Sequence, residues 1–182
     1  MKRTCLVVLL VFSFLLCGCS SKKEEKMLSD FSVALSGRSD LSFVGKLRCE
    51  YDDRTVDFTL QYKQQEDGCL ITVLQPEEIE GISVELDGNG SVLKYDELFV
   101  DTGELDELGL SPLSALPLLA ESLRGSYMDA VRYEGKELVY TLIPADDISM
   151  DIWFSAEDMV PTHAEIISHG RLRVFCDLES WR

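Results

Sequence analysis

The chain has 182 residues, enough for one domain and a short extension, and its 46% hydrophobic and 27% charged residues exclude disorder throughout. Thirty-three Asp and Glu against 17 Lys and Arg give a formal charge of −16, which excludes a free-standing nucleic-acid binder, because phosphate backbones require a basic face. Only one apolar stretch approaches a bilayer span, so a helix-bundle membrane protein is excluded as well.

Residues 1–19 read as a secretory signal. Lys2 and Arg3 form a positive start, and residues 6–16 are an apolar run interrupted only by Ser13. A run of about ten residues is too short for an ordinary span and suits a signal core. It ends in Leu16-Cys17-Gly18-Cys19: an aliphatic residue, a variable one, a small one, then cysteine. That tetrapeptide resembles the lipobox of bacterial lipoproteins. The resemblance implies cleavage after Gly18, diacylglycerol on the Cys19 sulfur and retention at a membrane by acyl chains. The chain then divides into a signal peptide (1–18), a lipidated tether (19–26) and a β-rich domain (27–182). The expected location is extracytoplasmic, anchored to the cell membrane, or to the outer membrane where a cell has two, since Ser20 after the lipidated cysteine resembles a sorting signal.

This division relocates the charge. The signal carries two cations and residues 22–26 a net charge of +1, which leaves −19 on residues 27–182. The basic excess lies beside the anchor, where anionic headgroups attract it weakly.

Met27, Leu28, Phe31 and Leu35 recur at helical spacing, predicting a one-sided apolar helix over residues 24–35 that ends at Gly37. The period then changes to two. Phe43, Gly45, Leu47, Cys49 and Tyr51 alternate with Lys46, Arg48 and Glu50, and Val56, Phe58, Leu60 and Tyr62 alternate with Asp57, Thr59, Gln61 and Lys63. With the apolar run 69–74 and short turns at 52–54 and 66–68, these predict an antiparallel meander. Pro76 breaks it. Residues 82–86 and 92–95 flank Asp87-Gly88-Asn89-Gly90, a hairpin signal, and residues 98–100 form another extended piece.

Residues 101–109 are acidic. Ser111-Pro112 then reads as an N-cap with proline at the first helical position. Leu113, Leu116, Leu119, Ala120 and Leu123 mark a helical apolar face that ends at Gly125, and Pro117 inside it predicts a kink or division. Strands resume over 131–133, 138–142, 148–154, 162–167 and 171–178, the last two joined across Ser168-His169-Gly170. The fold class is α+β: a curved antiparallel sheet or unclosed β-barrel of about nine strands, its inner face covered by the N-terminal helix and the leucine-rich insert.

The order of lipobox, amphipathic helix, meander, Pro-Glu break, hairpin, leucine-rich insert and further strands resembles the superfamily of the lipoprotein carrier LolA, the receptor LolB and LppX-type lipoproteins. Phe43-Val44-Gly45-Lys46-Leu47 through Gln75-Pro76-Glu77, and Leu86-Asp87-Gly88-Asn89-Gly90 through Tyr95-Asp96, carry most of it. The resemblance implies an unclosed barrel whose helices act as a lid over a space for acyl chains. It also implies an arginine-centred lid contact, for which Arg38, Arg54 and Arg124 qualify by position. The ligand-lining candidates are Leu113, Leu116, Leu119, Leu123, Phe58 and Leu60. Lid and ordinary core helix both remain open for residues 113–123.

Catalytic signatures are few. There is no Gly-x-Ser-x-Gly elbow. His163 falls out of phase with Ala164 and Ile166 and is assigned to a polar face, and His169 to a turn. Asp87, Asn89 and Ser91 imitate the start of a calcium loop but lack its glycine and its closing glutamate. Cys49, Cys69 and Cys176 lie in strand-like segments with no zinc spacing and read as buried small hydrophobes, one bridge among them remaining open. No cofactor and no metal are expected, and the chain is not expected to be an enzyme. The expected partners are a membrane through Cys19, a lipid or other apolar ligand between sheet and helices, and an envelope protein; no nucleic acid is expected. Two functions follow: an anchored lipoprotein that binds a lipid or apolar ligand, or a protein-interaction or sensor module that uses its acidic surface.

Overall fold

The computed structural model describes residues 21–87, 90–95, 98–103 and 111–182. The signal peptide, Cys19, most of the acidic segment 101–109 and the tip of the Asp87-Gly88-Asn89-Gly90 turn lie outside them.

The first helix, α1, spans Ser21–Ser36. It starts three residues earlier than the apolar spacing predicts, so the stretch read as tether is helical from Ser21 onward. Its first turns are rich in Lys and Glu, which lose little freedom in a helix, and Glu24 in the first turn complements the helix dipole. Leu28 and Leu35 are buried, and Met27 and Phe31 pack against the core.

Eleven antiparallel strands form one sheet: β1 (Ser42–Glu50), β2 (Thr55–Gln65), β3 (Gly68–Gln75), β4 (Ser83–Asp87), β5 (Gly90–Tyr95), β6 (Leu98–Gly103), β7 (Tyr127–Glu134), β8 (Glu137–Ala145), β9 (Ile148–Ser155), β10 (Pro161–Ser168) and β11 (Arg171–Glu179). The order β6-β5-β4-β3-β2-β1-β11-β10-β9-β8-β7 is two meanders joined back to back. Their junction is β1 on β11, with Leu47 opposite Cys176 and Val44 opposite Glu179. Ser42 and Arg182 exchange backbone hydrogen bonds at 3.3 and 3.0 Å beside it. The expected count was about nine. The edge strands are the weakest in pattern: β6 is short, and β7 (YMDAVRYE) is mostly exposed and extends beyond the 131–133 segment.

The second helix, α2, spans Pro112–Gly125 as one element, although a kink or division was expected at Pro117. The Ser111 hydroxyl caps it by accepting from the Leu113 N–H at 3.3 Å. Burial offsets the hydrogen bond that Pro117 removes: Leu116, Leu118, Leu119, Ala120 and Leu123 are all buried. The buried hydroxyls of Ser114 and Ser122 donate to the Ser111 and Leu118 carbonyls. Both helices lie on one face of the sheet, here called inner. There α2 contacts β1, β2, β3 and β8, while α1 packs on α2 and reaches β7. The Ser32 hydroxyl donates to the Leu123 carbonyl at 2.7 Å, tying the helices together.

Candidate functional site

The inner face is where the ligand-lining candidates converge. Phe43, Leu47, Leu60, Tyr62 and Ile71 from the strands are all buried. Over them lie Leu116, Leu119 and Leu123, each at most 1% exposed. Leu113 and Phe58 are partly buried and pack against the cluster rather than entering it. Gly45 is the closest approach. A Cβ placed there would lie 2.7 Å from Leu116 Cδ2, 3.0 Å from Cys176 Sγ and 3.0 Å from Leu47 Cδ1. Such distances leave no room for a methyl group, so α2 rests on β1 in van der Waals contact. Phe43 stacks between Tyr62 (4.8 Å) and Trp181 (4.6 Å), and Phe31 and Tyr140 meet Phe154 edge-on at 5.2 and 5.4 Å. Phe31 and Trp181 also border an open space of about 410 Å³ together with Met27 and Met159.

Among Arg38, Arg54 and Arg124, it is Arg124 that makes an inter-element contact. It donates to Gln64 Oε1 at 2.8 Å, the oxygen that also accepts from the Tyr62 hydroxyl at 2.6 Å. The Gln64 amide in turn donates to the Gly68 carbonyl at 2.8 Å. The C-terminal end of α2 is therefore held to β2 and β3 by a cation placed where the helix dipole favours one. Arg38 pairs with Asp40 on the surface, and Arg54 lies 5.5 Å from the centroid of the Tyr51 ring.

Glu24 went unnoticed in the sequence because it stands in the charged run Lys22-Lys23-Glu24-Glu25-Lys26. It is 4% exposed. Its Oε1 accepts from the Tyr133 hydroxyl at 3.0 Å and its carbonyl from the Tyr140 hydroxyl at 2.9 Å, while Oε2 has no partner among the described residues. The start of α1 is thereby fastened to β7 and β8. Burial, followed by the nearby Glu24, pushes the Tyr140 phenol up to about 12.

Further open space lies between the helices and on the outer face. A cleft of about 460 Å³ separates α1 from the C-terminal end of α2 and includes Leu28, Val33, Arg124 and Met128. A groove of about 900 Å³ lies on the outer face. Its floor comprises Lys46, Arg48, Thr59, Phe175, Asp177 and His163, and Gln75, Pro76, Glu77 and Glu80 form a wall. Phe58 borders it, so this one candidate reaches an open space, though not the expected one. Lys46 pairs with Glu179 at 2.6 Å and Arg48 with Asp57 at 3.0 Å. His163 faces this polar side, as expected, with Nδ1 2.7 Å from Asp177 and Nε2 3.7 Å from Glu165.

Cys49, Cys69 and Cys176 are buried and unbridged. Burial pushes the Cys49 thiol up to about 12 and the Cys69 thiol to about 11, and raises Cys176 as well. They are held as neutral thiols and behave as small hydrophobes. Among the described residues, no group of three His, Cys, Asp or Glu is arranged to hold a metal ion, and no helix is long and apolar enough to cross a membrane.

No protein-family model matches the chain, and no curated protein matches it. Several solved structures are similar to it. A LolA superfamily protein from Nitrosomonas europaea is 10% identical over 87% of this chain and 92% of that one, with a TM-score of 0.46. The lipoprotein LppX from Mycobacterium tuberculosis is 12% identical over 85% and 93%, with a TM-score of 0.40. A structure of the CwlD amidase from Clostridioides difficile in complex with the GerS lipoprotein is matched at 17% identity over 84% and 91%, with a TM-score of 0.42. These are likenesses to a LolA- or LppX-like fold; the α+β curved sheet itself rests on the strand order above.

Proposed function

We propose that the chain is an extracytoplasmic lipoprotein, anchored by acyl chains on Cys19, whose domain is a binding module for a protein partner. The observation that carries this is the contact of Leu116 with Gly45: where a lid would stand away from the sheet, the Leu116 side chain rests on β1. The leucine-rich insert acts as core, and recognition then falls to the outside of the sheet. Anchoring is supported by the charged start, the apolar run and Leu16-Cys17-Gly18-Cys19. Because α1 begins at Ser21, the anchor would sit next to a rigid helix, and Lys22, Lys23 and Lys26 would face the headgroups. Cys19→Ser tests the anchor. The variant is expected in the soluble fraction after cell breakage, and retention with the membrane would refute it.

A second role, binding a single-chain apolar ligand, is favoured by the cleft of about 460 Å³ beside Leu28, Val33 and Met128. Native mass spectrometry distinguishes the two, since only the second leaves a non-covalent lipid on the purified chain.

A further inference from the structure

We infer that the outer groove beside the β1–β2 hairpin is the docking site for a basic, extended polypeptide segment of the partner. This rests on the interaction role proposed above.

The groove crosses five adjacent strands in the order β3-β2-β1-β11-β10. Its two cations are already neutralised, Lys46 by Glu179 and Arg48 by Asp57. Asp177 lies 2.7 Å from His163 Nδ1, but three further carboxylates of the groove are not balanced in this way. Glu50 stands at the end of β1, and Glu77 and Glu80 stand on the turn that follows β3. All three are exposed, and none takes part in an ion pair among the described residues. They bracket β2 from opposite sides, so a chain lying across the hairpin would meet unpaired carboxylates at both ends of its path.

Between them the floor is not purely polar. Phe175 and Leu74 are half-buried on the outer face. Lysine and arginine lay their methylene stems along such apolar surface while their heads remain in water. An apolar floor between acidic walls therefore complements a basic side chain over its whole length. The domain's −19 charge adds long-range attraction, which raises the rate of encounter with a cationic partner and weakens with salt. An acidic or lipidic headgroup is disfavoured by the same charges.

The test uses the processed, lipidated chain in nonionic detergent and a fluorescent decapeptide of alternating lysine and alanine, followed by anisotropy. Binding should weaken as salt rises. The triple variant Glu50→Gln, Glu77→Gln, Glu80→Gln should weaken it by about tenfold, the product of three rim ion contacts. A control with the same charge change outside the groove, Glu66→Gln, Asp67→Asn, Asp129→Asn, should stay within about twofold. Equal loss in both variants means attraction by net charge alone and overturns the groove, as does absence of peptide binding. In cells, a photo-crosslinker at Glu77 should attach to a lysine- or arginine-rich segment mapped by mass spectrometry. Attachment of a partner only through a crosslinker at Asp129 would overturn the groove and leave the interaction role standing. A chain that crosslinks to nothing and carries bound lipid would remove both.

Discussion

Gly45→Ala is the most discriminating single substitution, because its sign depends on whether α2 is core or lid. In a strand with space above it, alanine is the better residue. It costs the unfolded chain less freedom, and such changes stabilise by about 0.4–1 kcal/mol. Burial of the added methyl contributes about 0.8 kcal/mol more. Here the methyl would stand 2.7 Å from Leu116 Cδ2 and 3.0 Å from both Cys176 Sγ and Leu47 Cδ1. Leu116 is fully buried in the middle of α2, and Arg124 holds the end of that helix to Gln64. The Leu116 and Leu47 methyls would have to turn aside within a buried layer. Overpacking of this kind costs about 1–3 kcal/mol and exceeds the gain expected from reduced chain freedom. Net destabilisation of about 1–2 kcal/mol is expected, read as a lower urea midpoint with unchanged slope in the Cys19→Ser form. Leu116→Ala should cost about 2–5 kcal/mol alone and should make Gly45→Ala nearly neutral when the two are combined. A midpoint that stays or rises in Gly45→Ala would refute the packed interface.

Tyr140→Phe removes a hydrogen bond to the Glu24 carbonyl at 2.9 Å and should cost about 1 kcal/mol. Glu24→Gln keeps an acceptor for Tyr133 and should retain stability that Glu24→Ala loses, both read from urea midpoints. The three thiols should resist alkylation at pH 8 in the native chain and all react in denaturant. Their pKa values are raised by folding, so the unfolded chain releases these protons first. Stability is therefore full below the ordinary thiol value of 9.0 and declines as pH rises toward about 11–12, where Cys69 and Cys49 titrate in the fold. Urea midpoints at pH 8 and pH 10 measure this; a midpoint unchanged at pH 10 would contradict it.

Period-two patterning made most of the sheet legible. Phe43, Leu47 and Cys49 alternate with Lys46 and Arg48 along β1, and the burial follows them residue by residue. The side of His163 was legible for the same reason. The pairing of β1 with β11 was not. It joins residues some 130 positions apart, and antiparallel pairing at that distance leaves no local mark. The outer groove depends on this junction, since Arg48 and Phe175 become neighbours only there. Gly45 looked like an ordinary strand position with a missing side chain, and its meaning needed the identity of the residue above it. Glu24 was hidden by composition: a charged run is normally a solvated face, and only the arrival of Tyr133 and Tyr140 buries one member of it.

The central claim is that the space between α2 and the sheet is filled by the chain's own side chains. Native mass spectrometry of the Cys19→Ser form, purified from its own cells in volatile buffer, tests it most directly. The expected spectrum holds the bare polypeptide mass alone. A stoichiometric lipid adduct that survives gentle ionisation and leaves on activation would contradict the claim.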